Sequence, residues 1–237
     1  MSGHSHWATT KRQKAITDNK RGQLFTKLIR AITVAARDGG DIHSNFKLRL
    51  AVDKARAVNM PKTNIERAIE RGSGGAEGGG LTEALYEGFG PENIAVITAV
   101  LTDNKNRTAS EIKKIFELKG GRLGQPGSVA FLFAKKGHLT VTKGPDCQKQ
   151  ILDLIDQGAE EVEEAEAGIE VLTDPANLYS LKQKIEGAGM SVTAAELVFL
   201  AKSPVTLTGE EQQKAQEFLD TLDELDDVQE VYSNLSV

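Results

Sequence analysis

The sequence predicts an α+β protein: an N-terminal three-helix bundle, then two ferredoxin-like α/β domains, one inserted in the other. Three observations lead there. Apolar residues recur at helical spacing up to Gly72. The stretch Gly72–Gly80, GSGGAEGGG, then interrupts the pattern with six glycines and no apolar anchor larger than Ala76. Beyond it strand-like and helix-like runs alternate, in one stretch in the order βαββαβ.

The first helix is expected from Gln23 to Asp38, where Leu24, Phe25, Leu28, Ile29, Ile32, Ala35 and Ala36 form one stripe and Gly39-Gly40 supplies the stop. Phe46 to Val58 repeats the pattern until Pro61 interrupts it. Thr63, spaced as a capping box with Glu66, is expected to start a third helix through Ile65, Ala68 and Ile69 to Gly72, and Gly72–Gly80 reads as a flexible linker. Next, Ile94–Leu101 has the β-branched, apolar composition of a buried strand. Thr108 with Glu111 predicts a capped helix stopping at Gly120-Gly121, and Val129–Phe133 a further strand.

The βαββαβ stretch follows: strand His138–Thr142, helix Cys147–Gln157, strands Glu161–Ala165 and Ile169–Leu172, helix Pro175–Glu186, and a strand near Val192. A strand at Leu197–Leu200, a helix Glu210–Leu225 and a strand Val228–Tyr232 have no partners of their own, and would complete a second such unit with the elements of 94–133. The expected domains are therefore 1–74, a basic arm and helical bundle; 81–134 with 196–237, an α/β domain; and 135–195, the inserted domain.

Charge is divided unevenly along the chain. Residues 1–74 hold 15 Lys and Arg against 6 Asp and Glu, a formal +9, while the remaining 14 and 28 give −14. A strongly basic first third calls for a polyanion, because Lys and Arg neutralise phosphates and release condensed counterions. The other bulk properties are those of an ordinary globular protein, with 39% hydrophobic and 27% charged residues. The single cysteine, Cys147, forms no internal disulfide, which fits a reducing compartment. No apolar run is long enough to span a bilayer, and MSGHSHWATTKRQK has no apolar leader segment. A cytoplasmic protein with no membrane partner is expected.

Catalytic signatures are absent: there is no phosphate-binding G-x-x-x-x-G-K-[ST], no H-E-x-x-H and no C-x-x-C. The carboxylates of Glu160–Glu170 and Glu210–Asp227 read as a solvated acidic face rather than as acid/base pairs. No enzyme activity, cofactor or metal is expected. Nucleic-acid contacts are expected instead from Lys11, Arg12, Lys14, Lys20 and Arg21 of the arm, from Lys27, Arg30 and Arg37 opposite the apolar stripe of the first helix, and from Lys47, Arg49, Lys54 and Arg56 of the second. No heptad seam and no clear helix-turn-helix spacing are visible, so a monomer is expected.

Several motifs together resemble the YebC/PmpR family: Gly3-His4-Ser5-His6-Trp7, Lys20-Arg21-Gly22 followed by Phe25-Thr26-Lys27, Tyr86-Glu87-Gly88-Phe89-Gly90-Pro91, Asp103-Asn104-Lys105-Asn106-Arg107-Thr108, and Gly127-Ser128-Val129-Ala130-Phe131. The match runs essentially end to end, with His6 where Lys is expected and Phe89 where Tyr is common. The resemblance implies a bacterial cytoplasmic protein of three domains, classed as a probable transcriptional regulator that binds promoter DNA. It also implies a second mechanism, since a mitochondrial relative is the translational activator of cytochrome c oxidase I and members are connected with stalled ribosomes, where ribosomal RNA is the partner. The loops carrying Tyr86, Phe89, Asn104, Lys105, Asn106 and Arg107 are further candidate contacts. Gly88, Gly90 and Pro91 equally suit a bend, and Asn104, Asn106 and Arg107 suit a helix cap.

Overall fold

The structure, a computed structural model, describes residues 18–74 and 80–236. The described residues form two compact units, one of 135–200 and the other of 18–74, 80–134 and 201–236.

In the larger unit, α1 (Asp18–Ala35) runs on into a 3-10 turn, Ala36–Asp38, and is followed by α2 (Phe46–Ala57) and α3 (Lys62–Ser73). Leu28, Ile32 and Ala35 of α1 meet Leu48, Val52 and Ala55 of α2 and Ile65 and Ala68 of α3 in one buried cluster. Each fully buried aliphatic side chain contributes about 1.5–3 kcal/mol, so this cluster holds three short helices that would not persist alone. Asn45 fixes the corner between α1 and α2. Its side-chain oxygen accepts from Leu48 N, while its amide donates to the carbonyls of Ala35 and Gly39, both at 2.7 Å.

Two expectations are corrected here. Pro61, not Thr63, occupies the N-cap of α3 and no side chain caps it. Pro fits because its fixed φ suits a helix entry, where a missing N–H matters least. Gly72 belongs to α3 rather than to a linker: a Cβ there would lie 2.2 Å from the Thr33 carbonyl oxygen, so the glycine lets α3 lie against α1. Of the glycine stretch, residues 75–79 fall outside the described residues. The α2–α3 connection is a four-residue turn with Asn59 in the left-handed region at φ +58°, a helix–turn–helix arrangement that the sequence spacing did not suggest.

The rest of this unit is a sheet with two helices. Its first part comprises β1 (Thr82–Phe89), a 3-10 turn Pro91–Asn93, β2 (Ala95–Thr102), α4 (Lys105–Leu118) and β3 (Arg122–Leu123). After the 3-10 turn Ala130–Leu132, the chain enters the second unit through β4 (Phe133–Val141), continues through α5 (Cys147–Asp156), β5 (Glu161–Ala165), β6 (Gly168–Thr173) and α6 (Leu178–Gly187), and leaves it on β7 (Val192–Ala201). Then β8 (Val205–Thr206), α7 (Gly209–Asp223), β9 (Val228–Ser233) and β10 (Leu235–Ser236) complete the first. Entry and exit are tied to each other, since Lys202 N donates to Leu132 O at 2.8 Å.

The larger unit's sheet has the order β3-β1-β2-β9, every neighbouring pair antiparallel. Its α4 and α7 meet at an edge-to-face pair, Phe116 and Phe218, with ring centroids 4.9 Å apart. This is the ferredoxin-like order, with the strand that would ordinarily follow β3 placed first in the sequence, as β1. Thus Tyr86 to Pro91 is not a free bend but largely strand, and Val129–Phe133 is not the missing strand: Ala130–Leu132 is a 3-10 turn and Phe133 opens β4. The smaller unit's sheet has the order β5-β6-β4-β7, the ferredoxin-like order itself, over a core including Leu139, Val141, Leu154, Ile169, Val171, Leu178 and Ile185. The Glu160–Glu170 stretch is only partly a solvated face, because the Glu170 carboxylate is bonded to the buried ring of His138 and to Thr140.

Gly88 and Gly90 are required by the aromatic pair. A Cβ on Gly88 would sit 2.6 Å from Phe116 Cε1 and from Arg122 O, and one on Gly90 2.6 Å from Phe218 Cε1. Gly88→Ala is expected to lower unfolding free energy by about 1–3 kcal/mol, read by denaturant titration. Gly187→Ala, where a Cβ meets nothing within 4 Å, serves as the mild control.

Candidate nucleic-acid interface

Lys27, Arg30 and Arg37 lie on one side of the first helical segment, as its period requires. Lys27 and Arg30 on that side face the acidic end of the α/β sheet, whereas Arg37 is exposed. Lys27 Nζ donates to Asp223 O at 2.5 Å and lies 3.2 Å from Asp223 Oδ1. Arg30 Nη1 donates to Asp226 O at 2.5 Å and Asp227 Oδ1 at 2.8 Å, and Arg37 Nη1 to Leu81 O at 2.5 Å. Asp223 ends α7 and Asp226 follows it, so two of these side chains satisfy carbonyls at the negative pole of a helix dipole.

The second helix continues the pattern. Lys47 and Lys54, seven residues apart, reach Glu83 of β1, at 2.5 Å, and Glu230 of β9. The register sets Glu83 opposite Leu101 and Glu230 opposite Ala99 on β2, so both carboxylates rise from one face of the sheet. Arg49 instead donates to the carbonyls of Ile42 and His43, and Arg56 lies 3.7 Å from Asp53 on its own helix. Lys11, Arg12 and Lys14, and the side chains of Lys20 and Arg21, lie outside the described residues. Lys27, Arg30 and Arg37 lie opposite the apolar stripe as expected, but Lys27 and Arg30 are turned against protein there, while Arg37 is exposed beside the Leu81 carbonyl. The helical phase is right, but the partner is an acidic domain distant in sequence.

Asp227 is a hub of side-chain bonds. Its Oδ1 takes Arg30, while its Oδ2 takes Arg107 Nη2 at 3.1 Å and the Thr108 hydroxyl at 2.6 Å. Arg107 also reaches Asp103 at 2.8 Å. The Thr108 and Thr102 hydroxyls lie 2.7 Å apart, and Thr102 accepts from Asn104 N at 2.9 Å. With Thr108 donating to the carboxylate, Thr102 donates to Thr108, and no hydroxyl proton is used twice. Burial works to raise the Asp227 pKa, but the hydroxyls and the two guanidiniums outweigh it and hold the carboxyl below its ordinary value. Tyr86 donates its hydroxyl to Lys105 O at 2.9 Å, and burial, then the nearby Asp227 charge, push that phenol's pKa up.

The remaining candidates are placed around this hub. Asn104 caps α4, accepting from Arg107 N at 3.1 Å, so Thr108 is not the cap but a buried residue one turn inside. Lys105 and Asn106 are exposed in the first turn. Phe89 lies apart, under the Arg122 guanidinium 4.8 Å from its ring centre. Glu87, 7% exposed, accepts from Gly127 N, Val129 N and Ala130 N at 2.7–2.9 Å. Burial raises its pKa, but the three amides prevail and lower it. One carboxylate thus pins the Gly127–Phe131 segment to β1.

Family models match both parts of the chain: a TACO1/YebC protein N-terminal domain over residues 5–75, and the TACO1/YebC second and third domain over 81–235. The chain belongs to the TACO1/YebC family. Relatives of the family include a "probable transcriptional regulatory protein" of Thermotoga maritima, 48% identical over all of this chain and 94% of its own length. Another of that name, from Nitrosococcus oceani, is 48% identical over 99% of this chain and 95% of its own. The crystal structure of a conserved hypothetical protein from Aquifex aeolicus superposes with a TM-score of 0.87 at 40% identity, covering 98% of this chain and 96% of that one. Among the described residues no helix is long and apolar enough to cross a membrane, and no group of three His, Cys, Asp or Glu side chains is placed to hold a metal ion.

Sequence reasoning passed over Asp227, Glu87, Thr102 and Thr108, and the partner acids Glu83, Asp223 and Glu230. One signal was available: Asp223, Glu224, Asp226 and Asp227 crowd a helix C-terminus, where the dipole disfavours carboxylates. Acids in that position call for cations from elsewhere.

The two kinds of pair differ in energy. Arg30→Gln leaves a nearly buried carboxylate short of a partner, and is expected to lower stability by about 3 kcal/mol. Lys47→Gln, in a pair more than half exposed at both ends, should lower it by less than about 1 kcal/mol. Denaturant unfolding of both variants checks this. Acid titration tests the two depressed carboxyls. Their contribution is complete above the unfolded carboxylate pKa of about 4 and is lost as pH falls through the lower folded values. Stability should therefore drop below about pH 4, and less steeply in Glu87→Gln/Asp227→Asn.

Proposed function

We propose that this protein is a non-enzymatic nucleic-acid-binding regulator of gene expression acting on the ribosome, where its basic N-terminal domain contacts ribosomal RNA and relieves stalling. The observation that carries the reading is the charge division of +9 against −14, weighed with the geometry of the bundle. The α/β domain takes up Lys27, Arg30, Lys47 and Lys54, while Arg56, Lys62, Arg67 and Arg71 of α2 and α3 are exposed. Among the described residues Lys62 pairs locally, with Glu66 at 3.5 Å, and its side chain is 87% exposed. The segment before α1 adds Lys11, Arg12 and Lys14 with Trp7 as a stacking group, and the start of α1 adds Lys20 and Arg21, a composition suited to folded RNA.

A second reading, a DNA-binding transcriptional regulator acting at promoters, has its own support. The relatives' name says so of them, and α3 follows α2 across a four-residue turn with Lys62, Thr63 and Arg67 exposed near its start, as a major-groove helix requires. Glu66 and Glu70 on the same helix weigh against close approach to phosphates.

Sedimentation of cell extract at moderate salt separates the two. The ribosomal reading expects the intact protein to travel with ribosomes and the form lacking residues 2–21 to stay behind. Discrete, reproducible promoter sites in chromatin capture, with both forms at the top of the gradient, would establish the transcriptional reading. In either case Lys62→Gln/Arg67→Gln/Arg71→Gln should weaken binding and flatten the log-log salt slope by about 3 on duplex DNA.

A further inference from the structure

We propose that Lys27, Lys47 and Lys54 are phosphate-binding side chains, masked in the free protein by Asp223, Glu83 and Glu230, and that nucleic acid binds by exchanging those carboxylates for backbone phosphates. The proposal rests on the nucleic-acid reading above and adds to it which side chains take the polyanion and what occupies them beforehand.

Where the bundle meets the sheet domain, the two cation types take different acids. Arginine takes the buried partner: the guanidiniums of Arg30 and Arg107 close on the two oxygens of Asp227, whose side chain is 7% exposed. A planar fork held by an acid away from water does not exchange readily. Lysine takes the accessible acids. The Asp223 and Glu83 side chains are 53% and 57% exposed and that of Glu230 is 32%, while of the lysines Lys47 and Lys54 are 55% and 40% exposed and Lys27, also held by the Asp223 carbonyl, 13%. An ammonium is a compact point charge that bonds a phosphate oxygen as well as a carboxylate oxygen. Pairs open to water, as those of Lys47 and Lys54 are, are weak and screened by salt, so a phosphate chain displaces them first, and Lys27 exchanges only as its contact opens.

The three acids come from three elements of one sheet domain, α7, β1 and β9, and the lysines from two helices of the bundle. Exchange therefore loosens the bundle along its lysine contacts while the Arg30–Asp227–Arg107 cluster keeps its place as the pivot.

The test compares the intact protein with Glu83→Gln/Asp223→Asn/Glu230→Gln and with Glu210→Gln/Glu211→Gln/Glu217→Gln, which changes net charge equally on α7 away from the lysines. Each is titrated against a fluorescein-labelled RNA hairpin and a labelled DNA duplex at low and physiological salt. Thermal unfolding of all three verifies that each is folded. Unmasking predicts two- to threefold tighter binding for each pair removed, about tenfold for the first variant, with the second close to the unsubstituted protein. Equal affinity of the first variant and the unsubstituted protein, weaker binding by that variant, or equal tightening of both variants overturns the exchange and leaves the nucleic-acid reading standing. No binding by any of the three proteins to either probe rejects that reading, and the exchange with it.

Discussion

Asp227 is the constraint around which the larger unit is arranged. An ionised carboxylate with so little access to water is tolerated only if its oxygens are filled by donors. Here the donors come from two distant places in the chain, Arg30 on α1 and Arg107 and Thr108 on α4, with Thr102 of β2 behind Thr108. Satisfying that one group fixes the start of α4 against the end of α7 and holds α1 beside both. The Asp103–Thr108 motif is thus structural at its centre: Asn104 caps, Arg107 and Thr108 bond the acid, and only Lys105 and Asn106 face outward in the first turn.

A second buried acid repeats the device on the other side of the sheet. Glu87 takes three amides of one turn, which is how a carboxylate on a strand can be both buried and ionised. Between them, the two acids convert motifs that look like exposed loops in the sequence into fixed parts of the framework. Phe131 emerges from that fixed turn with 65% of its surface in water.

How much was legible can be judged element by element. The βαββαβ stretch was readable because its strands alternate cleanly and its helices carry ordinary stops. In contrast, β1 was hidden: TEALYEGF carries a glycine and two glutamates, and a second glycine, Gly90, follows it, composition that signals a turn. Glycine is there because Phe116 and Phe218 fill the space of a side chain, and Glu87 because a distant turn needs an acceptor. Both causes lie far off in sequence. The caps show the same limit. Thr63 and Thr108 have capping-box spacing, yet Pro61 and Asn104 stand where the helices begin, and local pattern does not rank competing starts. For the basic helices, periodicity gave the correct face, whereas what covers that face depended on acids from 36 to 197 residues away.

The hydrogen bond between Lys202 N and Leu132 O has a consequence for the evolution of the chain. Because the two crossings into residues 135–200 meet there, the host sees that whole unit as a hairpin tip of negligible span. The entropy of closing the host therefore depends on a short gap and hardly on how many residues hang beyond it. Such a junction behaves as a socket: what is plugged into it can be lengthened, replaced or lost while the sheet with Asp227 at its edge keeps the same connections.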